Sequence, residues 1–159
     1  MYSLVNKRIL LGVTGGIAAY KSAEVIRRLI DLGASVKVVM TKSAHDFITP
    51  LTLQALSGNP VHTKLLDTEA EAAMGHIELA RWADVILITP ASANFIAKMV
   101  AGKADDLLST VCLASCSVIA IAPSMNQAMW KNKSTQNNLT QLENHGIKIF
   151  GPDEGSQAC

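Results

Sequence analysis

Short apolar runs alternate along the chain with longer segments in which apolar residues recur at helical spacing. The runs are apolar at consecutive positions, which is typical of strands buried on both faces of a parallel sheet. Glycine, proline or polar residues follow each run and indicate where the strand ends. The predicted strands cover residues 8–13, 35–40, 85–89, 118–122 and 147–150, and a shorter strand is expected near Val61.

The segments between these runs carry apolar residues three and four positions apart, which is the pattern of helices packed on a sheet. Gly33 is a typical stop for the first helix, and Ser92 is a typical N-cap for the third. The predicted helices cover residues 17–31, 50–56, 92–100, 105–116 and 133–145. The alternation of strands and helices predicts an α/β fold, a Rossmann-like (flavodoxin-like) three-layer sandwich with a parallel sheet.

Composition and charge narrow the function classes. The chain has 159 residues, of which 49% are hydrophobic and 4% aromatic, so we expect one domain, residues 1–159, with an aliphatic core. The formal net charge of +1 comes from interspersed acids and bases and gives no electrostatic case for nucleic acid or an anionic membrane. No signal peptide precedes Lys7 and no apolar run reaches the roughly 20 residues of a membrane span, so we expect a cytoplasmic location.

The cysteines predict neither a disulfide framework nor a zinc site. Cys112 and Cys116 lie four residues apart in the predicted helix 105–116, and no histidine stands at a zinc-binding spacing from them. We expect both to be small, buried, apolar side chains, and we predict no metal.

Residues that follow the first two strands indicate an anion site. Gly15 and Gly16 come between the first strand and its helix, where backbone amides and the helix N-terminus favour negative charge. Thr41 and Ser43 follow the second strand and offer hydroxyl groups to the same anion. The spelling is not G-x-G-x-x-G, and no acidic residue is placed for a ribose, so a dinucleotide is poorly supported.

Two loops after later strands carry small or unusual residues. Residues 90–94, Pro-Ala-Ser-Ala-Asn, would let a flat ring approach the backbone, although Ser92 alone is explained as a helix cap. Residues 123–130 read Pro-Ser-Met-Asn-Gln-Ala-Met-Trp, and Pro123 is expected to end a strand and open a loop. That loop is either a ligand-binding loop at a strand's carboxyl end or a turn whose Met and Trp side chains fill a gap in the core.

Five segments, taken together and in this order, resemble a known enzyme family. They are residues 15–21, 75–77, 90–94, 123–130 with the spelling P-x-M-N-x-x-M-W, and 155–159. The chain is similar to the flavin-containing cysteine decarboxylases, which include peptidyl-cysteine and phosphopantothenoylcysteine decarboxylases. The final cysteine and the spelling GGIAAYK favour the branch that acts in coenzyme A synthesis.

The resemblance implies FMN as the cofactor. The ends of the first two strands would hold its phosphate and ribityl chain, and the loop at residues 90–94 would contact the flavin. The residues to which this cofactor-binding role carries over are Gly15, Gly16, Ile17, Ala18, Thr41, Ser43, Ala91, Ser92 and Asn94.

The resemblance also implies catalytic and substrate-binding residues. His76 would be the base that takes the thiol proton, whereas a lone histidine without this setting is usually a surface or core residue. Asn126, with Met125 beside it, and Arg81 would bind the substrate, since an amide and a guanidinium both suit a carboxylate. Arg81 is otherwise explained as one half of a surface ion pair. Cys159 would give a proton late in the reaction.

The implied reaction is the decarboxylation of 4′-phosphopantothenoylcysteine to 4′-phosphopantetheine through a thioaldehyde and an enethiol. The resemblance further implies a homotrimer or dodecamer with the flavin at the subunit interface, a substrate clamp that continues past Cys159, and a ligase domain in the full-length protein. Three alternatives stay open: a peptidyl-cysteine decarboxylase, a flavin prenyltransferase, and a non-enzymatic subunit that keeps the flavin fold and binds a phosphatase.

Overall fold

The structure is a computed structural model that describes residues 2–66 and 75–152. Within these ranges the strands are β1 (Arg8–Val13), β2 (Ser35–Met40), β3 (Val61–His62), β4 (Val85–Ala91), β5 (Val118–Pro123) and β6 (Lys148–Ile149). The α-helices there are α1 (Ser22–Asp31), α2 (Pro50–Ser57), α3 (His76–Trp82), α4 (Ala93–Ala101), α5 (Leu107–Ala114), α6 (Gln127–Lys131) and α7 (Lys133–Asn144). Short 3₁₀ helices cover Ile17–Lys21 and Lys42–Asp46. None of the helices in these ranges is long and apolar enough to cross a bilayer.

The strands of the described chain form one parallel sheet in the order β3-β2-β1-β4-β5-β6. β1 lies inside the sheet with β2 on one side and β4 on the other, so the chain winds outward from β1 in both directions. In a sheet wound this way, a crevice opens at the carboxyl ends of the two strands where the winding changes direction, here β1 and β4.

Helices cover both faces of the sheet, and each face has its own hydrophobic core. Leu10 of β1 points into one core, which is completed by buried side chains of α3, α4, α5 and α7. Leu11, the next residue, points into the other core, which is completed by Ile26 of α1 and Leu53 of α2. Successive residues of one strand therefore face opposite layers of helices, and the predicted three-layer α/β sandwich is confirmed.

Gly12 is a point of close approach between β1 and α5. A Cβ added at Gly12 would lie 2.7 Å and 2.8 Å from the two Cδ atoms of Leu108, and 3.3 Å from Cγ1 of Ile88. Gly12 and Leu108 are both buried. Glycine at this position therefore lets the helix pack directly against the strand.

An ion pair fastens the start of β1 to the residue before β4. Nη2 of Arg8 lies 2.9 Å from Oδ1 of Asp84, and Arg8 donates its backbone N–H to Oδ2 of Asp84 at 2.8 Å. The hydrogen bond from the Arg8 side chain, followed by the one from its backbone, lowers the pKa of Asp84 to about 2. Both side chains are partly exposed, so solvent screening reduces what the pair adds to stability.

The predicted strands agree with the structure to within about two residues at either end, and the short strand near Val61 is present as β3. The first predicted helix is divided into a 3₁₀ helix and α1. The sequence did not predict α3 and α6, because helices of 7 and 5 residues contain too few turns to show a clear period.

The prediction for Cys116 is wrong. Helix α5 ends at Ala114, where Ser115 takes an extended conformation, so the helical spacing on which the prediction relied stops before Cys116. Cys116 is exposed, whereas Cys112 lies on the helix and is half-buried. The thiols at the two positions therefore differ in how readily solvent reaches them.

Candidate functional site

A cavity of about 390 Å³ opens at the carboxyl edge of the sheet, beside the ends of β1, β2 and β4. This is the crevice that the strand order predicts. Its volume lies in the range of roughly 300–1,000 Å³ that small-molecule and cofactor sites occupy. The residues that line it are Thr14, Thr41, Lys42, Ser43, Asp46, Ser92, Asn94, Phe95, Lys98 and Asp106.

Thr14 joins the two strand ends at the crevice. Its hydroxyl donates to the carbonyl of Pro90 at 2.5 Å and accepts the N–H of Ser92 at 2.9 Å. Thr14 is 1% exposed, so water competes little for these hydrogen bonds. Ser22 of α1 donates to the carbonyl of Thr89 at 3.0 Å. The end of β4 is therefore fixed relative to both β1 and α1.

Gly15 and Gly16 have different surroundings. A Cβ at Gly15 would lie 2.5 Å from Oγ and 2.7 Å from Cβ of Ser43, so glycine here lets the loops after β1 and β2 touch. A Cβ at Gly16 would meet no atom of the described residues within 4 Å. Packing against Ser43 already explains why position 15 is a glycine. The sequence suggests that an anion approaches the backbone at both glycines, but only Gly16 has open space beside it for that approach.

The predicted cofactor-binding residues fall into two groups. One group lines the cavity and consists of Thr41, Ser43, Ser92 and Asn94. The other group belongs to the adjoining loops without lining the cavity and consists of Gly15, Gly16, Ile17, Ala18 and Ala91. The structure therefore brings the ends of β1, β2 and β4 together, as expected, but only four of the nine predicted residues line the cavity.

Ala91 is buried in the core instead of facing the cavity. It is fully buried in the same hydrophobic core as Phe95. Its carbonyl accepts the N–H of Ser124 at 3.1 Å and so ties the loop after β4 to the segment after β5. The Ala91 side chain is therefore not placed to contact a ring bound in the cavity. Its backbone carbonyl instead holds two loops together.

The N-terminus of α4 points to the cavity. Ser92 caps this helix as predicted, because its hydroxyl accepts the N–H of Phe95 at 3.1 Å. Asn94 is exposed in the first turn and lines the cavity. The partial positive charge of the helix N-terminus adds to the polar groups at this wall.

Lys98 is a lining residue that sequence reasoning missed. Its side chain is 16% exposed, and its Nζ lies 2.6 Å from Oδ1 of Asp105 and 2.5 Å from Oδ2 of Asp106. Burial lowers the pKa of Lys98, but the hydrogen bonds with the two carboxylates outweigh burial and the pKa is raised. A lysine in the last turn of a helix followed by Asp-Asp is the signal that could have found it.

The cavity carries charges of both signs. Lys98 is paired with Asp106, whereas Lys42 forms no ion pair with another described residue. Lys42 lies between Thr41 and Ser43, whose hydroxyl oxygens are 3.3 Å apart. The part of the cavity beside the end of β2 is therefore the part that suits an anionic group, although Asp46 also lines the cavity.

The segment after β5 contributes two side chains to the core. Met125 and Trp130 are partly buried and pack against the core on one face of the sheet. For these two residues the core-filling alternative is confirmed. Pro123 ends β5 and opens a loop as predicted, but this loop covers only residues 124–126 and the short helix α6 follows it.

Asn126 is an exposed polar residue of this segment. Its Oδ1 accepts the N–H of Ala128 at 2.8 Å and the N–H of Met129 at 3.2 Å, so the side chain caps α6. Its Nδ2 has no acceptor among the described residues. Two donors of Asn126 are therefore available to a ligand, and a carboxylate is a suitable acceptor.

His76 and Arg81 lie on α3, which leads into β4. His76 is the first residue of the helix and is half-buried, and Arg81 in the last turn is exposed. Arg81 forms no ion pair with another described residue, so its explanation as a surface ion pair finds no support within residues 2–66 and 75–152. Neither residue lines the 390 Å³ cavity, and neither does Asn126. Cys159 lies outside the described residues.

Comparison with known proteins gives one family and related proteins that match nearly the whole chain. The family model described as Flavoprotein matches residues 2–159. The coenzyme A biosynthesis bifunctional protein CoaBC of Vibrio parahaemolyticus is 58% identical over 159 residues, which are 100% of this chain and 40% of that protein. The chain therefore spans less than half the length of this curated relative.

Two solved structures share the fold with significant sequence identity. The FMN-dependent cysteine decarboxylase SpaF superposes with a TM-score of 0.89 at 37% identity, over 96% of this chain and 88% of that chain. A mutant PPC decarboxylase complexed with pantothenoylaminoethenethiol superposes with a TM-score of 0.81 at 32% identity, over 96% of this chain and 85% of that chain.

Proposed function

The chain belongs to the flavoprotein family, and on that premise we propose that it is an FMN-dependent decarboxylase that converts 4′-phosphopantothenoylcysteine to 4′-phosphopantetheine in coenzyme A biosynthesis. The observation that carries the proposal is the 390 Å³ cavity at the topological switch point. All 159 residues of the chain around it align with a CoaBC protein at 58% identity. We further propose that a ligase domain follows this domain in the full-length protein.

The residues around the cavity fit FMN. The hydroxyls of Thr41 and Ser43, the cation of Lys42 and the open space beside Gly16 suit its phosphate and ribityl chain. Asn94, at the N-terminus of α4, offers polar contacts to the heteroatoms of the ring. When bound, FMN would supply an acceptor for the two electrons that leave the substrate thiol.

His76 is proposed as the base for the substrate thiol. Histidine is the side chain best suited to exchange protons near neutral pH, and a ring nitrogen would hold the thiol proton. Its place at the start of α3, half-buried and next to the extended Gly75, leaves the imidazole partly open to a ligand.

Asn126 and Arg81 are proposed to bind the carboxylate that leaves as CO₂. The two N–H donors on Nδ2 of Asn126 would orient this carboxylate, while Oδ1 keeps the residue in place by capping α6. The guanidinium of Arg81 would add a charged contact to the same substrate. Met125 would support Asn126 from the core side, where it packs.

The separation of these residues from the cavity supports an oligomeric site. His76, Arg81 and Asn126 do not line the cavity of their own chain, so a second copy that presents them to it would complete the site. We propose a homotrimer, or a dodecamer built from trimers, with the flavin at the subunit interface. Size-exclusion chromatography with light scattering on the flavin-loaded protein tests this assembly.

Cys159 is proposed to donate the proton that the enethiol would take up when it is reduced to the thiol product. A thiol is a far better acid than a hydroxyl, with a reference pKa of about 8.5. If Cys159 has this role, Cys159→Ser in the full-length protein releases CO₂ but stops at the enethiol. Formation of fully reduced 4′-phosphopantetheine by that variant at the normal rate would remove Cys159 from the mechanism.

The function is tested by two measurements on one preparation. The purified protein should be yellow or should take up added FMN, and with 4′-phosphopantothenoylcysteine it should release CO₂ and give a product with the mass of 4′-phosphopantetheine. A protein that takes up no FMN contradicts the proposal. Decarboxylation of a peptide with a C-terminal cysteine but not of 4′-phosphopantothenoylcysteine would favour the peptidyl-cysteine alternative.

A further inference from the structure

A second cavity, of about 320 Å³, lies at the opposite edge of the sheet from the proposed cofactor site. It opens beside the starts of β5 and β6, between the end of α4, the end of α5 and the end of α7. Its lining includes the ammonium group of Lys103 and the imidazole of His145, and none of its lining residues is an aspartate or a glutamate. Two cysteines, Cys112 and Cys116, also line it.

The loop that carries Cys116 is held by the residues on either side of it. Ser117 donates its hydroxyl to the carbonyl of Ala83 at 2.5 Å, and the N–H of Ser117 is bound by the hydroxyl of Ser115 at 3.0 Å. Both serine side chains are thus used within the protein, while Cys116 between them is exposed. The thiol of Cys116 therefore lies on an ordered wall of the cavity and is accessible.

The two thiols of this cavity are not equivalent. Burial, and then the negative charge of Asp106, raises the pKa of Cys112 to about 12, so Cys112 stays protonated at neutral pH. The thiolate is the reactive form of cysteine. Within residues 2–66 and 75–152, no group of three or more His, Cys, Asp or Glu side chains is placed to hold a metal ion. Of the two thiols, Cys116 is exposed and is the one that can react.

We infer that this second cavity binds a small anionic disulfide, and that Cys116 forms a mixed disulfide with one half of it. The ammonium of Lys103 attracts the negative groups of the ligand, the imidazole N–H of His145 donates a hydrogen bond to them, and the apolar side chains of Leu113 and Ile119 receive its uncharged part. In the reaction, the Cys116 thiolate attacks one sulfur of the ligand disulfide and the disulfide bond breaks. The released thiolate takes up a proton, and the ligand disulfide is the oxidant, so no other oxidant is needed.

The inference is tested on the reduced, flavin-loaded protein with two aromatic disulfides that differ in charge. The anionic reagent is 5,5′-dithiobis(2-nitrobenzoate), and the neutral one is 4,4′-dithiodipyridine. Peptide mass mapping measures the rates at which Cys112 and Cys116 are each modified. The same rates are measured on the chain unfolded in urea, so that the intrinsic reactivity of each reagent can be divided out. We expect Cys116, and not Cys112, to react with the anionic reagent at a rate that saturates with its concentration in the folded protein.

Normalised to the unfolded chain, the preference of Cys116 for the anionic over the neutral reagent should be at least tenfold. The double substitution Lys103→Gln with His145→Gln should reduce this preference at least fivefold, with an unchanged circular dichroism spectrum. A rate that rises linearly with reagent concentration, or a preference that the double variant keeps, would mean that Cys116 is an exposed thiol without a site. Decarboxylation is not the readout, so this result is independent of the proposed function.

A second measurement covers binding without the covalent step. The Cys116→Ser variant should still bind the anion 5-thio-2-nitrobenzoate in equilibrium dialysis, and Lys103→Glu on that background should abolish the binding. Absence of binding to a folded Cys116→Ser variant would overturn the inference, because the cavity would then offer nothing to the ligand beyond the thiol.

Discussion

Nζ of Lys98 lies 2.5 Å from Oδ2 of Asp106, while the other oxygen of that carboxylate accepts the N–H of Ser109 at 2.7 Å. One carboxylate therefore serves as the N-cap of α5 and as the partner of a lysine on α4. Both residues line the 390 Å³ cavity. The wall of the proposed flavin site is thus set by the contact between the end of one helix and the start of the next.

Replacing Asp106 separates its two roles. Asp106→Ala removes the cap and the ion pair, and we expect the free energy of unfolding to fall by about 1–2 kcal/mol. Asp106→Asn keeps an oxygen for the N–H of Ser109 and loses only the charge, so its effect should be smaller. Urea denaturation at neutral pH measures both changes. Equal losses for the two variants would show that the ion pair with Lys98, and not the cap, dominates.

Gly15 and Gly16 should respond differently to alanine. Gly15→Ala forces Ser43 to move, and we expect a loss of about 1–3 kcal/mol in the stability of the apoprotein. The methyl group added by Gly16→Ala meets no atom of the described part of the chain within 4 Å, so the apoprotein should keep its stability to within about 0.5 kcal/mol. If FMN approaches the backbone at Gly16, the Gly16→Ala variant should nevertheless bind FMN at least about tenfold more weakly than the unmodified protein. Unchanged FMN affinity in titrations of Gly16→Ala would place the phosphate elsewhere.

His76→Asn should keep FMN and lose decarboxylation. The substitution removes the proposed base, and CO₂ release should fall by at least the roughly 100-fold typical of general-base removal. His145→Asn is the matched control, because His145 lies at the opposite edge of the sheet and should not affect this reaction. The visible spectrum reports the flavin in each variant. A normal rate of CO₂ release from His76→Asn would make His76 a structural residue.

Asn126→Asp should keep the cap of α6 and lose the substrate. Aspartate caps helices as well as asparagine does, but it replaces the two N–H donors with a negative charge facing a carboxylate. We expect kcat/KM to fall at least about 100-fold with little change in melting temperature. Asn132→Asp is the control, since Asn132 caps α7 in the same way through the N–H of Ser134 at 2.9 Å. Equal activity of the two variants would restrict Asn126 to capping.

The pair of Arg8 and Asp84 should stabilise the protein down to acidic pH. The folded pKa of Asp84, about 2, lies below the value of about 3.9 expected in the unfolded chain. The contribution is therefore fully present above about pH 4 and is lost as the pH falls through about 2. Asp84→Asn should flatten the pH dependence of unfolding in this window and leave its shape above pH 5 unchanged. Parallel curves for both proteins between pH 2 and 4 would contradict the assignment.

The strands and the place of the cavity could be predicted from the sequence, because consecutive apolar residues mark strands buried on both faces and parallel strands gather their carboxyl ends at one edge. Thr41, Ser43 and Ser92 were expected at that edge and line the cavity. Ser92 also begins its helix and Gly33 ends its helix as predicted, since these signals act within one turn of the backbone.

Other features depend on tertiary contacts that the sequence pattern does not encode. The pairing of β4 with β5 is irregular between Ile88 and Ala91, so the inward direction of Ala91 could not be extrapolated from the alternation along the strand. Lys98 meets Asp106 across the connection between two helices, which helical spacing does not describe. Cys116 follows the end of α5, and the extended residue Ser115 that ends the helix has no strong sequence signal.

The contact of Gly12 with Leu108 restricts how this sequence can drift. Since any Cβ at position 12 occupies space that the Leu108 side chain already fills, a lone mutation at Gly12 should be selected against even when it changes no polar group. Replacement of Leu108 by a smaller side chain would open that space and make alanine at position 12 acceptable. A library that randomises the two positions together should therefore recover folded pairs in which volume gained on the strand is matched by volume lost on the helix.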